Sequence, residues 1–125
     1  MPLRYWVDPK TSILHSEGSG PLTIPDLLAY YTATRADSSI SPSMHRIMDL
    51  RQVTELPSSA DIRQIATLAR TNQPDSTARM AILASSDLAF GVSMMFKAFV
   101  GFGDRLLIVR DEQEAMNWLI AGQRE

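Results

Sequence analysis

Two short runs with strand-like alternation open the chain, LRYWV (residues 3–7) and SILHS (12–16), separated by DPKT, in which Asp8 and Pro9 are natural turn formers. The pattern predicts a β-hairpin. The Gly, Ser and Pro residues of EGSGPL then punctuate the chain, and TIPDLLAYYTAT places Ile24, Leu27, Leu28 and Tyr31 on one helical face. Thr23 is the candidate N-cap of that helix, with Asp26 in its first turn. RADSSISPS reads as a loop, and MHRIMDL as a buried strand.

From residue 44 onward the alternation is regular. HRIMDL is followed by the helical SSADIRQIATLAR, whose Ile62, Ile65, Ala66 and Ala69 form a stripe; ARMAILA precedes the long helix SDLAFGVSMMFKAF. RLLIVR then leads into DEQEAMNWLIAG, with Asp111 at the N-cap, Glu114 three residues on and Gly122 near the stop. Strands alternating with helices imply parallel neighbours joined by right-handed crossovers. The near-continuous apolarity of MAIL and LLIV suits central strands covered on both faces. The expected architecture is α/β: a mixed sheet of about five strands, the N-terminal hairpin followed by β-α repeats, packed by about four helices.

Composition narrows the classes. The chain has 125 residues, the usual size of one domain, and neither an internal repeat nor a linker divides it, so residues 1–125 are read as a single unit. Its 45% apolar and 21% charged residues are ordinary globular values. A net charge of −2 with scattered cations argues against nucleic acid as a partner. The absence of cysteine removes disulfides and thiolate chemistry. MPLRYWVDPK lacks the basic and apolar regions of a secretory signal, and no run reaches the about 18 apolar residues of a membrane span. The expectation is a cytoplasmic protein without stable membrane insertion.

The candidate chemistry is sparse. His15 and His45 are the only imidazoles; neither lies in a catalytic signature, there is no G-x-S-x-G elbow, and metal-ligand spacing is missing. No catalytic residue, metal site or cofactor is therefore assigned, and the chain is read as a non-enzyme. GFGD (101–104) follows a helix and precedes a strand, the reverse of a phosphate loop, so its glycines are expected to end the third helix. That helix carries two apolar sets. Leu88, Val92, Met95, Phe96 and Phe99 can cover the sheet. Phe90, Met94 and Ala98 point elsewhere, with Gly91 permitting close approach; loops, a homodimer seam or an apolar ligand cleft would each account for them. Ser58, followed by Asp61, has the form of a helix cap, and the same geometry hosts a phosphate well.

MDLRQVTELPSSADI resembles the segment of STAS domains of the anti-sigma-factor antagonist type, in which a strand ends in Asp-Leu, a valine follows, and an Asp-Ser-Ser/Thr-Gly motif opens the next helix. Asp49, Leu50, Val53, Ser58 and Ser59 fall in register with it. The later segment looks still closer to uncharacterised bacterial SpoIIAA-like proteins, with a D-x-A-F-G helix start (Asp87, Ala89, Phe90, Gly91) and a terminal A-x-x-W-L helix (Ala115, Trp118, Leu119). This resemblance implies a mixed sheet with helices against it, and a phospho-acceptor at Ser58. Pro57 and Ala60 stand where the antagonists carry aspartate and glycine.

The functional expectation is a non-catalytic regulatory or protein-interaction module of SpoIIAA-like type. Phe90, Gly91, Met94 and Ala98 would be its surface toward a protein partner or a second copy of itself. The alternative is a carrier or sensor of a small apolar ligand or lipid, using a cleft beside the third helix; the wider SpoIIAA-like group resembles lipid-binding proteins in fold.

Overall fold

A computed structural model describes residues 3–71 and 77–124. Its elements follow the alternation of the sequence: β1 (Leu3–Val7), β2 (Leu14–Pro21), α1 (Ile24–Ala36), β3 (Arg46–Glu55), α2 (Ser59–Thr71), β4 (Met80–Leu83), α3 (Asp87–Val100), β5 (Leu106–Val109) and α4 (Glu112–Gly122). The strands lie in sequence order in one sheet; β1 and β2 are antiparallel and the other neighbours parallel. Crossovers of one hand between successive parallel strands place their helices on one side, and α1, α2 and α3 do share a face and a core there. The last helix is no crossover. It folds onto the opposite face, where Ala115 and Leu119 close over Ile13, Ile47, Ala81, Leu83 and Val109.

Local chemistry sets the helix ends. Thr23 Oγ1 accepts from the Asp26 N–H while the Asp26 carboxylate accepts from the Thr23 N–H, a reciprocal cap at the start of α1. Ser58 Oγ accepts from the Asp61 N–H at 3.3 Å, Ser86 Oγ from Ala89 at 3.0 Å and Asp111 from Glu114 at 3.0 Å. Gly101 ends α3 in the left-handed conformation at φ 75°, where L side chains are strained.

Four details depart from the expectations. The second strand continues to Pro21 through the punctuated EGSG, and the third runs past Leu50 to Glu55, because the two stay paired: Ser19 lies opposite Gln52, Gly20 opposite Val53 and Pro21 opposite Glu55. A side chain at Gly18 would lie 2.8 Å from Val53 Cγ2, so the glycine there makes room for the Val53 side chain rather than forming a turn. Leu28 is 42% exposed, and the buried line of α1 is Leu27 and Thr34, with Ile24, Tyr30 and Tyr31 packed beside it. On α3, Phe96 is buried and Val92, Met95 and Phe99 pack against the core as the stripe requires, but Leu88 is 66% exposed, and Ala89, Ser93 and Val100 complete the buried line. Finally, among the described residues nothing approaches within 4 Å of a Cβ built on Gly91, so no close approach there uses the glycine.

Candidate ligand site between helix α1 and the sheet

Alternation along a strand assigns each residue of β3 to one face. Arg46, Met48 and Leu50 take the helix side, while Ile47 and Asp49 take the side of α4. In register, Arg46 stands beside Leu14 on β2 and Met80 on β4, and Met80 stands beside Leu106 on β5. A cation thus occupies one place in a cross-strand row that is otherwise apolar.

Arg46 and Met80 of that row, with Met48, line a cavity of about 330 Å³. Its walls are Tyr30, Tyr31 and Thr34 of α1, Ile40 and Pro42 of the following loop, Ala69 near the end of α2, and Phe102 beyond α3. Short turns set the shape of the loop. Asp37 accepts from the Ser39 N–H at 2.9 Å, from Ser39 Oγ at 2.6 Å and from the Tyr5 hydroxyl at 3.0 Å; these bonds, Ser39's first, hold its carboxyl below the ordinary carboxylate range. A second hollow of about 80 Å³ shares Tyr31, Met48 and Met80 with the first. It is lined by Leu22, Leu50, Ile62 and Phe96, and ends against Leu56 and Pro57, the residues before the Ser58 cap.

The polar groups of the described lining are the hydroxyls of Tyr30, Tyr31, Thr34, Ser41 and Thr71 and the guanidinium groups of Arg35 and Arg46. Tyr30 and Ser16 share a hydroxyl hydrogen bond of 2.5 Å, and Thr34 Oγ1 donates to the Tyr30 carbonyl at 3.0 Å. Burial raises the pKa of both Tyr30 and Tyr31, so both hydroxyls stay neutral near pH 7. The Tyr31 hydroxyl has no hydrogen-bond partner among the described residues. Arg46 Nε is closed off from water and makes no hydrogen bond, and no ion pair to Arg46 occurs among the described residues. Burial lowers the pKa of that guanidinium, against the opposing pull of Tyr30 and Tyr31. No aspartate or glutamate lines the cavity among the described residues, whereas a second arginine, Arg35, does.

The residues singled out from sequence lie elsewhere. Ser58 is exposed at the start of α2 with its hydroxyl engaged in the cap. Phe90 is half-buried against the core, with the Arg110 guanidinium 4.5 Å over its ring; Arg110 also donates to Asp87 Oδ1 and the Ser85 carbonyl, each at 2.9 Å. The D-x-A-F-G start is thereby fastened to the end of β5. Gly91, Met94 and Ala98 are exposed, and none of these four α3 residues lines either hollow. In the A-x-x-W-L segment Ala115 and Leu119 are fully buried, and Arg79 stacks 5.0 Å from Trp118 while donating to its carbonyl. His45 is buried with Nδ1 accepting from the Arg79 N–H at 2.8 Å, and His15 stacks on Trp6 at 5.4 Å. Among the described residues no cluster of histidine, aspartate and glutamate is arranged to hold a metal, and no helix is long and apolar enough to cross a membrane.

Sequence reasoning missed Arg46. The available signal was a charged residue two and four positions before Met48 and Leu50, in step with an inward-facing row.

No protein-family model and no curated protein matches the sequence. Among solved structures the chain is similar to an uncharacterized protein of the DUF3478 family with a SpoIIAA-like fold from Shewanella loihica PV-4. The two share 15% identity and a TM-score of 0.64 over 94% of this chain and 93% of the other. Five strands with an antiparallel first pair, four helices split between the two faces, and that likeness over nearly the full length together make the fold SpoIIAA-like α/β.

Proposed function

We propose that this chain is a non-catalytic binding module whose cavity between α1 and the sheet takes up a small, largely apolar molecule. The observation that carries this reading is the cavity itself: about 330 Å³, walled by Ile40, Pro42, Met48, Met80 and Phe102, and bordering a second apolar hollow. Small-molecule sites have this size and this mixture of apolar walls with a few placed polar groups. The ionisable groups of the wall support the non-catalytic part. Tyr30 and Tyr31 stay neutral and Arg46 charged near pH 7, so none of the three is poised to take up and release a proton there. The ligand reading thus moves from a cleft beside α3 to the space under α1, where α3 contributes only its core-facing Val92, Ser93 and Phe96 to the second hollow.

The test is uptake of N-phenyl-1-naphthylamine, whose emission rises in apolar surroundings, by the wild type and by Ile40→Trp. Ile40 sits half-buried in the loop over the cavity, where a larger ring can fill the space without entering the core. Bright emission from the wild type that is lost in the variant supports the reading. Equal emission from both, or none from either, together with no co-purified small molecule in the native mass spectrum, overturns it.

A second reading is favoured by one surface observation. Gly91, Met94 and Ala98 are exposed on α3, Met94 at 45%, which is consistent with a docking face for a protein partner or a second copy, with Ser58 as a phosphorylation site at the start of α2. Sedimentation velocity of the wild type beside Met94→Glu tests the homodimer. A dimer dispersed by the glutamate supports it, and a monomer in both cases removes it.

A further inference from the structure

A lone arginine in a core-facing row needs an explanation that its neighbours do not. Arg46 lies between Leu14 and Met80 in the sheet register, beneath Tyr30 and Tyr31. Arginines that serve structure alone at such depth are normally paired, because an uncompensated charge in a low-dielectric setting is costly. Here Nε has lost water without gaining a protein acceptor, and no carboxylate faces the guanidinium among the described residues. A group held in the cavity that Arg46 lines would lie where it balances this charge.

The surroundings point to the sign of a compensating group. Arg35, exposed, adds positive charge to the wall, and the Tyr31 hydroxyl has no hydrogen-bond partner among the described residues. Both tyrosines remain neutral, so neither competes as an anion. The remaining walls combine methionine, isoleucine, alanine, proline and phenylalanine side chains with the hydroxyls of Thr34, Ser41 and Thr71. A guanidinium matches a planar carboxylate with two parallel hydrogen bonds. Arg35 is exposed and keeps its own solvation, so Arg46 is the one half-buried cation of the described lining; a monoanion compensates it, whereas a doubly charged phosphate brings in charge that this one guanidinium does not match.

We propose that the cavity binds a small monocarboxylic acid, its carboxylate on Arg46 and the Tyr31 hydroxyl and its apolar body along Met48, Met80 and the second hollow. The inference rests on the ligand-binding reading above and adds the headgroup to it.

The experiment is calorimetric titration of the full chain with octanoate and 3-phenylpropionate, each beside the corresponding alcohol, 1-octanol and 3-phenylpropan-1-ol. Octyl phosphate is a further arm. At pH 7 at least one acid is expected to bind about tenfold to a hundredfold more tightly than its alcohol, the range of a charge-assisted hydrogen-bonded contact. In Arg46→Met that preference should vanish while alcohol binding persists, and Tyr31→Phe should weaken the acid severalfold and leave the alcohol unchanged. Near-ultraviolet circular dichroism of each variant verifies that the core is intact, and Arg46→Lys, which keeps a charge without the fork, should recover only part of the preference. Acid and alcohol binding alike in the wild type, or an acid preference that survives Arg46→Met, overturns the headgroup inference and leaves the ligand reading standing. Octyl phosphate binding more tightly than octanoate overturns the choice of carboxylate. No binding by any acid or alcohol overturns both readings.

Discussion

Replacing Arg46 by methionine in the empty protein should stabilise it. Methionine keeps an unbranched stem beside Met48 and Met80 and suits the row of Leu14, Met80 and Leu106, so little packing is lost. What disappears is a cation whose Nε is buried without a partner. Removing a buried unsatisfied or uncompensated charged group in favour of an apolar one of similar shape is worth about 1–3 kcal/mol. For a chain of 125 residues that corresponds to a rise in melting temperature of about 3–12 °C. Both folded and unfolded arginine are charged throughout neutral pH, so the gain should be constant between about pH 6 and 9. Ligand should then work against the variant. At a hundredfold excess over its dissociation constant an acid adds about 2.7 kcal/mol to the wild type, but only about 0.9 kcal/mol to a variant that binds thirtyfold more weakly. Urea denaturation with and without octanoate measures both terms. An empty Arg46→Met protein that is less stable than the wild type would refute the reasoning, since it would mean that the charge is already compensated.

Three further outcomes follow from the geometry. Ser58→Ala should cost about 1 kcal/mol because it removes the acceptor for the Asp61 N–H, while Ser58→Asp should fold normally, as an acid also caps a helix; chemical denaturation of the pair decides it, and marked unfolding of the aspartate variant would count against the cap. Gly18→Ala should cost about 1–3 kcal/mol through contact with Val53 Cγ2 at 2.8 Å, and adding Val53→Ala should recover part of that loss, so a double-mutant cycle with additive energies would contradict the clash. Tyr30 and Tyr31 have pKa values raised in the fold, so their contribution to stability is fully present below the unfolded value of about 10 and is lost as pH climbs above it. Absorbance at the tyrosinate band should therefore rise together with loss of the near-ultraviolet signal, and ionisation of both residues in a still-folded protein would exclude their burial.

Where backbone chemistry dominates, the structure was legible in the sequence. Thr23 with Asp26, Asp111 with Glu114 and Gly101 after Phe99 are local signals, and each element end they specify is where they put it. The strands that carry MAIL and LLIV were equally plain, because burial on both faces leaves a continuous apolar run. Legibility failed where pairing overrode composition. EGSG has the residues of a turn, yet it forms strand because residues 51–55 lie alongside to receive its hydrogen bonds. On α3 the large side chains suggested one stripe, and Val92, Met95, Phe96 and Phe99 do pack on the core, but the small Ala89 and Ser93 take buried places beside them and Leu88 is left outside.

The site was hidden for a related reason. RIMDLR contains two interleaved rows, Arg46-Met48-Leu50 and Ile47-Asp49-Arg51, and each mixes charged with apolar residues, so alternation alone does not say which row faces the helices. The answer comes from outside the strand. Crossovers put α1, α2 and α3 over the first row, α4 covers Ile47 in the second, and Asp49 is left beside the open part of the sheet, where Arg51 reaches it at 2.9 Å. Only then does the contrast between the two arginines of the strand acquire meaning. Arg51 is exposed and paired with Asp49 and Glu112, which keeps its charge solvated and balanced. Arg46, five positions earlier on the other face, has neither water at Nε nor a carboxylate beside it among the described residues. The same residue type on one strand is thus a surface ion pair at one position and an uncompensated charge at another, and the topology that separates them is also what encloses the cavity.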